Sequence, residues 1–197
     1  RNAMGGLIFL GLIGAVIFFA ISVYNALVTL RNHFKNAFSQ IDVQLQRRYE
    51  LIPNLVEAVK AYLGHEKETL TQVIAARNQA ASLEKALAQN AGNAEAMAKF
   101  AQAEGVLTGA LGKLMAVSEA YPDLKANTTI QNLMEELKTT ENRVGFARQA
   151  FNDAVMVYNI EREKFPNSFV AAFGNFQQAL PLEISHIEAR EPVRISF

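Results

Sequence analysis

The residues best suited to metal chemistry in this chain are its histidines and the carboxylates beside them. His65 and Glu66 begin a zinc-protease motif, whose second histidine would have to stand at Thr69. A di-iron bundle needs two Glu-x-x-His pairs on facing helices. The chain has one such pair, Glu183 with His186, in a tail segment that does not read as helical. The spacing of these residues therefore predicts no metal site.

Other reaction types lack the residues that they need. The chain contains no cysteine, which removes thiol catalysis, disulfides and cysteine metal sites. It has no phosphate-binding loop of the Gly-x-x-x-x-Gly-Lys type, and its three histidines offer no Ser-His-Asp arrangement. The 19 basic and 19 acidic residues give a formal net charge of zero, unlike the basic surface that binds nucleic acid. The sequence therefore predicts a protein that is not an enzyme, uses no cofactor and binds no nucleic acid.

The segment from Met4 to Leu30 contains no charged residue. Its most apolar part, residues 7–24, would be roughly 27 Å long as a helix, close to the ~30 Å of a bilayer core. A cleaved signal peptide would need a basic start and a small-x-small cleavage site, which this segment lacks. We therefore expect residues 4–26 to form an uncleaved single-pass membrane anchor, and residues 1–3 to be a cloning remnant. The residues assigned to the bilayer are Leu7, Ile8, Phe9, Leu10, Leu12, Ile13, Val16, Ile17, Phe18 and Phe19.

Basic residues follow the anchor on its C-terminal side. Arg31, Lys35, Arg47 and Arg48 come soon after the apolar segment, and His33 is expected to face lipid headgroups. The positive-inside rule places the flank richer in Lys and Arg in the cytoplasm. We therefore expect a protein of the bacterial cell membrane whose C-terminal domain is cytoplasmic.

Helix-forming residues dominate the chain from residue 15 to residue 121. Ala, Leu, Glu, Gln and Lys are frequent there, and Pro53 is the one proline. Apolar side chains recur every seven residues, and this spacing continues through Pro53, so we expect a kink there and not a loop. The pattern predicts long helices at about 27–63, 65–89, 94–120 and 128–165.

Short turns separate these helices, at Gly64, at residues 90–93 and at Pro122. Short connections and narrow apolar seams favour an antiparallel four-helix bundle over a parallel coiled-coil dimer. We therefore expect an all-α fold, in which an N-terminal transmembrane helix continues into a long-helix four-helix bundle with a short aromatic C-terminal tail. The bundle would occupy residues 27–166, and a short helix with an extended tail residues 167–197.

Four charged residues occupy positions where the seams call for apolar side chains. Each lies seven residues from an apolar residue of its own seam. Counting along antiparallel helices places all four within about one helical turn, roughly 5 Å, of one level. Two positive and two negative charges cancel, as burial requires. The sequence predicts a structural charged layer inside the bundle, unless helix rotation turns some of its members outward: Arg48, Arg77, Glu104 and Glu141.

The tail carries apolar and aromatic residues at helical spacing. Helices over 25–63 and 128–165 have nearly equal lengths, so the second would return the chain to the membrane surface near Phe165. Two interpretations fit equally well: an interfacial segment at the headgroup level, or a cap on the open end of the bundle core. The residues of this expected interfacial tail are Phe169, Val170, Phe173 and Phe176.

Two groups of motifs resemble the LemA family over nearly the whole chain. The first comprises RRYELIPNLV from Arg47 to Val56, Val59-Lys60 and His65-Glu66. The second comprises TENR from Thr140 to Arg143, Ala147-Arg148, Tyr158-Asn159 and Phe165-Pro166. The resemblance implies a membrane-anchored helical bundle of bacteria, with no established catalytic activity. Phe151 stands where the family often has a tyrosine, so no role of that hydroxyl carries over.

These observations together favour a membrane-anchored scaffold or interaction module. Its expected partners are the lipid bilayer, unidentified membrane or membrane-proximal proteins, and copies of itself. Two other functions stay open: a bundle enzyme with a metal or carboxylate site, and a lipid-interacting protein that shapes membranes. Metal analysis of the purified protein separates the enzyme from the interaction module.

Overall fold

The computed structural model describes residues 2–89 and 94–183, and within these ranges the predicted all-α class is confirmed. The helices are α1 Asn2–Lys60, α2 Lys67–Gln89, α3 Ala94–Ser118, α4 Pro122–Ala126, α5 Thr128–Glu163 and α6 Asn167–Phe173. Some predictions fall outside the described residues: the first residue of the expected remnant, the turn at 90–93, and the tail from residue 184, which includes His186.

Helix α1 continues through Pro53, as the unbroken apolar spacing predicts. Proline has no N–H, so the carbonyl of Tyr49, four residues earlier, loses its usual helical donor. Packing around the proline offsets this loss, because Ile52 and Leu55 are completely buried. The helix ends at Lys60, a little before the expected bound.

The described chain divides into two compact units, and both include parts of α1 and α5. The first unit comprises α1 as far as Ser39 together with residues 148–181. The second comprises the described residues within 40–147, together with Leu182 and Glu183. The expected boundary between anchor and bundle near residue 27 stays a prediction.

Positions spaced by seven residues build the core of the second unit. Successive members of each seam point to the same side of a helix, so their burial on one another removes a continuous apolar stripe from water. Helices α2 and α3 pack along each other over much of their lengths. The buried members of these seams include Ile41, Leu45, Ile52, Leu55, Val59, Leu107, Leu114, Ile130, Leu137 and Val144.

The short helix α4 is an element that the sequence did not predict. Pro122 ends the preceding turn but also begins α4, since proline is well tolerated at the first position of a helix. Leu124 fixes this helix, because its side chain is completely buried. Asn127 then caps α5: its Oδ1 accepts hydrogen bonds from the N–H groups of Thr129 at 3.0 Å and Ile130 at 3.2 Å.

Aromatic rings join the helices of the first unit. The ring of Phe34 lies edge-to-face against those of Phe151 and Tyr158, with centroids 6.4 and 5.0 Å away. Phe38 packs on Phe151 in the same way, at 5.5 Å. A second cluster follows towards the N-terminus of α1 and brings α6 into the core; its buried members are Val23, Leu27, Tyr158, Ala171 and Phe176.

Candidate functional site

Arg48 is the centre of a buried charged cluster in the second unit. It lies on α1 at a core position, and only 1 % of its surface is exposed. One guanidinium nitrogen, Nη2, donates to Glu104 of α3, and the other, Nη1, donates to Oε1 of Glu141 of α5 at 3.0 Å. The structure therefore brings three members of the expected charged layer together, from three different helices.

Glu104 is completely buried, and both of its carboxylate oxygens have partners. Oε2 accepts from Arg48, and Oε1 accepts from the hydroxyl of Tyr49 at 2.7 Å. Glu141 differs, because 30 % of its side chain is exposed. We use the name charged cluster for Arg48, Tyr49, Glu104 and Glu141.

Arg77, the fourth expected member of the layer, has a different partner. Its Nε donates to the backbone carbonyl of Tyr49 at 2.9 Å, and its Nη1 donates to the side chain of Asn78 at 3.0 Å. That carbonyl is the one that Pro53 leaves without a helical donor. Arg77 therefore supplies the hydrogen bond that Pro53 cannot donate, and it does not pair with a carboxylate. Two cations paired with two anions were expected, whereas the structure has one cation, Arg48, between two anions.

Arg48 and Tyr49 of the charged cluster both keep their protons. Burial by itself would lower the pKa of Arg48, but the carboxylates of Glu104 and Glu141 outweigh burial and raise this pKa above its ordinary value. Burial and the negative charge of Glu104 also raise the pKa of Tyr49 well above its ordinary value. Both side chains are therefore permanent hydrogen-bond donors to Glu104, an arrangement suited to holding structure and not to proton transfer.

The sequence did not predict a carboxyl pair formed by buried Glu84 and partly buried Asp42. Burial, a hydrogen bond with Asp42 and repulsion by Asp42 raise the pKa of Glu84 to about 8; nearby Lys85 opposes this shift, and Glu104 adds to it. Gln46 donates to Oδ2 of Asp42 at 3.1 Å. A pattern in the sequence could have revealed Glu84, because it lies seven residues after Arg77 on the same seam.

A groove of about 760 Å³ opens between α3, α4 and α5 in the second unit. Glu141 of the charged cluster forms part of its wall. Charged side chains line it as well: Glu119, Lys125, Glu135 and Lys138. Its apolar lining consists of Leu111, Met115, Leu124, Met134 and Leu137.

The residues assigned to the membrane anchor are all exposed on α1. Their exposed fractions range from 41 % to 75 %, in one helix that is long and apolar enough to cross a membrane. Apolar side chains in this number are unfavourable in water and favourable in lipid. Within the described residues, no group of three or more His, Asp or Glu side chains is arranged to hold a metal ion.

The expected interfacial tail is divided by the structure into two faces. Phe169 and Phe173 are 69 % and 96 % exposed. Phe176, by contrast, is only 4 % exposed, and Val170 packs against the same buried cluster. The assignment of Phe176 to an interfacial surface is therefore wrong, because the chain reverses after α6 and folds this ring onto α1.

The fold and these sites define an all-α protein that combines a helix of membrane-spanning length with a charged cluster inside its helical second unit. Residues 37–197 match the LemA family, and the chain belongs to that family. The magnetosome proteins MamQ 1 and MamQ 2 of Paramagnetospirillum magneticum are each 28 % identical to it, over 91 % of this chain and 72 % of theirs. Magnetosome protein MamQ of Magnetospirillum gryphiswaldense is 26 % identical, over 79 % of this chain and 62 % of that protein, less than two thirds of its length.

Proposed function

We propose that this protein is a non-enzymatic helical interaction module, anchored in a bacterial membrane, that docks partner proteins or copies of itself there. The observation that carries the proposal is the continuity of α1. One helix contains both the exposed apolar segment and, from Gln40, a wall of the second unit's core. Anchoring and bundle formation are thus properties of a single element, as a scaffold attached to a bilayer requires.

The groove between α3, α4 and α5 is the surface that best fits a docking role. An apolar centre with a charged rim is typical of protein-binding surfaces. Met115 and Met134 add side chains that adapt to differently shaped partners. The groove belongs to the second unit, away in sequence from the anchor, so occupying it leaves the anchor residues free for lipid.

Photo-crosslinking of the full chain in its native membrane tests docking. A photoreactive residue replaces Met115 or Met134 in the groove, and the matched control carries it at Val106, an exposed position of α3 that does not line the groove. We expect discrete adducts from the groove positions and none from the control; an adduct of twice the chain mass identifies a second copy. Identical adduct patterns at all three positions, or none at either methionine, contradict docking through the groove.

A bundle enzyme with a metal or carboxylate site is the alternative function. Glu104 and Glu141 are its strongest candidates, but the guanidinium of Arg48 already binds and orients both, and a metal cation would have to displace it. We expect elemental analysis of the full chain, purified without chelators, to show no stoichiometric metal. Iron, manganese or zinc at one atom per chain would overturn the non-enzymatic proposal.

We also place the second unit in the cytoplasm. Arg31 and Lys35 follow the apolar segment, and the positive-inside rule keeps such a flank on the cytoplasmic side. Protease added to sealed right-side-out vesicles should leave the second unit intact, whereas the same protease should digest it in inverted vesicles. The opposite pattern would place the unit on the other side of the membrane.

A further inference from the structure

Helix α6 is fastened to α1 at the point where the apolar segment ends. The ring of Phe176 lies edge-to-face on Tyr24, with centroids 5.3 Å apart, and the guanidinium of Arg31 lies 5.1 Å from the centroid of the same ring. Arg162 of α5 holds the connection by donating to the carbonyl of Phe176 at 2.8 Å. Gly174 makes the close approach possible, because a Cβ atom there would meet the Phe176 ring at 2.6 Å.

The side of α6 that faces away from α1 exposes aromatic rings. Phe169 and Phe173 are four residues apart on α6 and therefore lie on one side of it, whereas Val170 and Ala171 face the core. Phe165, which precedes α6, is 82 % exposed and packs edge-to-face on Phe169 at 5.9 Å. We call Phe165, Phe169 and Phe173 the aromatic face.

The position of the aromatic face indicates what covers it. Tyr24 is the last residue of the strongly apolar segment, and Arg31 is the first basic residue after it. If residues 7–24 cross the bilayer, the contacts of Phe176 with Tyr24 and Arg31 hold α6 within about two helical turns of the membrane boundary. Aromatic side chains concentrate at this level of a membrane, where a ring can enter the boundary between headgroups and acyl chains.

We propose that the aromatic face is a second lipid-binding site, which inserts its rings into the interface of the bilayer that α1 spans. The inference rests on the anchored state put forward above. The site's ligand is the lipid surface itself, and its apolar rings require no particular headgroup. Its consequence is that the end of α5 is held at the membrane, so the first unit has two attachments to the bilayer.

The absence of tryptophan from the natural chain allows a direct test. The full-chain variants Phe169→Trp and Phe173→Trp each contain one tryptophan, and Phe146→Trp, at an exposed phenylalanine of the second unit, is the matched control. Each is reconstituted into phosphatidylcholine vesicles with or without lipids brominated near the headgroup. We expect the two α6 variants to emit at shorter wavelength and to lose roughly half of their emission to bromine, because an interfacial ring lies in the same ~5–10 Å layer as the quencher.

The outcomes separate failure of the site from failure of the anchor. Vesicle flotation first shows whether each variant is membrane-bound, and loss of the control protein from the floating fraction would overturn the anchored state as well. Floating protein whose α6 tryptophans are quenched no more than the control overturns the lipid site alone. A blue shift without quenching, rising with protein density, would assign the aromatic face to a protein contact and also overturn it. Circular dichroism of each variant confirms that its helices are intact.

Discussion

Glu104 and Glu141 bind the same guanidinium in very different surroundings. Replacing Glu104 by Ala leaves Arg48 buried with one partly exposed partner, which should cost about 3–5 kcal/mol of folding free energy. Replacing Glu141 by Ala should cost only about 1 kcal/mol, because water reaches the site that it vacates. Thermal unfolding of the full chain in detergent, followed by circular dichroism, measures both changes.

The control for these variants is Glu136→Ala, which removes the exposed partner of Arg47. Water can solvate Arg47 once Glu136 is removed, so the melting temperature of the Glu136→Ala variant should hardly change. Equal losses for Glu104→Ala and Glu136→Ala would mean that the charged cluster contributes nothing beyond an ordinary surface ion pair.

Glu84 should make stability depend on pH. Its pKa in the folded protein, about 8, lies above the ordinary value of 4.5, so folding favours its protonated form. The stabilisation is therefore complete below about pH 4.5 and is lost as pH rises through about 8. Asp42 and Glu104 oppose the ionisation, and Lys85 favours it. The melting temperature of the full chain should therefore fall as pH rises from about 6 and level off above about 8.

In Glu84→Gln the amide cannot ionise, so this decline should be much smaller than in the natural chain. Glu119→Gln, at an exposed glutamate of the second unit, serves as the matched control and should keep the full decline. A natural chain whose melting temperature does not change over this range would contradict the raised pKa of Glu84.

At the scale of the helices, the seven-residue spacing of apolar residues predicted most of the long helices and their buried sides. Burial of every seventh residue is a property of a helix packed on its neighbours, so the spacing of Ile41 and Leu55 predicts both a helix and its inward side. The short α4 was not predicted, since five residues are too few to show periodicity. Phe176 was misplaced for a related reason: the turn after α6 reverses the chain, and helical spacing cannot be extended through a turn.

The charged cluster was reached by the same counting, but its chemistry was only partly predicted. Relative heights along antiparallel helices bring Arg48, Glu104 and Glu141 to one level, and the structure joins them. Counting residues along the helices cannot show which hydrogen-bond acceptor at that level lacks a donor. The unpaired carbonyl of Tyr49 beside Pro53 takes Arg77, since a buried carbonyl without a donor is unfavourable.

The hydrogen bond from Arg77 of α2 to the carbonyl of Tyr49 predicts that the effects of substituting Arg77 and Pro53 on stability are coupled. In the natural chain, Arg77→Ala leaves the carbonyl of Tyr49 without a donor, which should cost about 1–3 kcal/mol. Pro53→Ala restores an N–H four residues after that carbonyl, so in this background Arg77→Ala should cost less than about 1 kcal/mol. A double-mutant cycle on the full chain measures the difference between these two costs. Strict additivity of the two substitutions would contradict the role assigned to Arg77.

At the scale of the whole molecule, the two units require different surroundings. The second unit buries its apolar seams within protein, so water is a suitable solvent for its surface. The first unit includes residues 7–24, whose apolar side chains are exposed along one helix. Because α1 and α5 each contribute to both units, neither environment belongs to a separable piece of chain. The strength of the proposed anchor is therefore a testable property of the whole protein.

Residues 7–24 should hold the full chain in the bilayer permanently. Alkaline carbonate removes proteins that bind membranes by charge, whereas a spanning helix stays because its backbone and apolar side chains are already satisfied in lipid. We expect the natural protein in the membrane pellet, with an intact mass that still includes residues 7–24.

The variant Ile13→Arg with Val16→Arg places two charges near the centre of the span, at a cost of about 5–7 kcal/mol, and should appear in the supernatant. The matched variant Val43→Arg with Val106→Arg adds the same charge at exposed positions outside the segment and should stay in the pellet. Release of the natural protein, or a mass lacking residues 7–24, would contradict a permanent anchor.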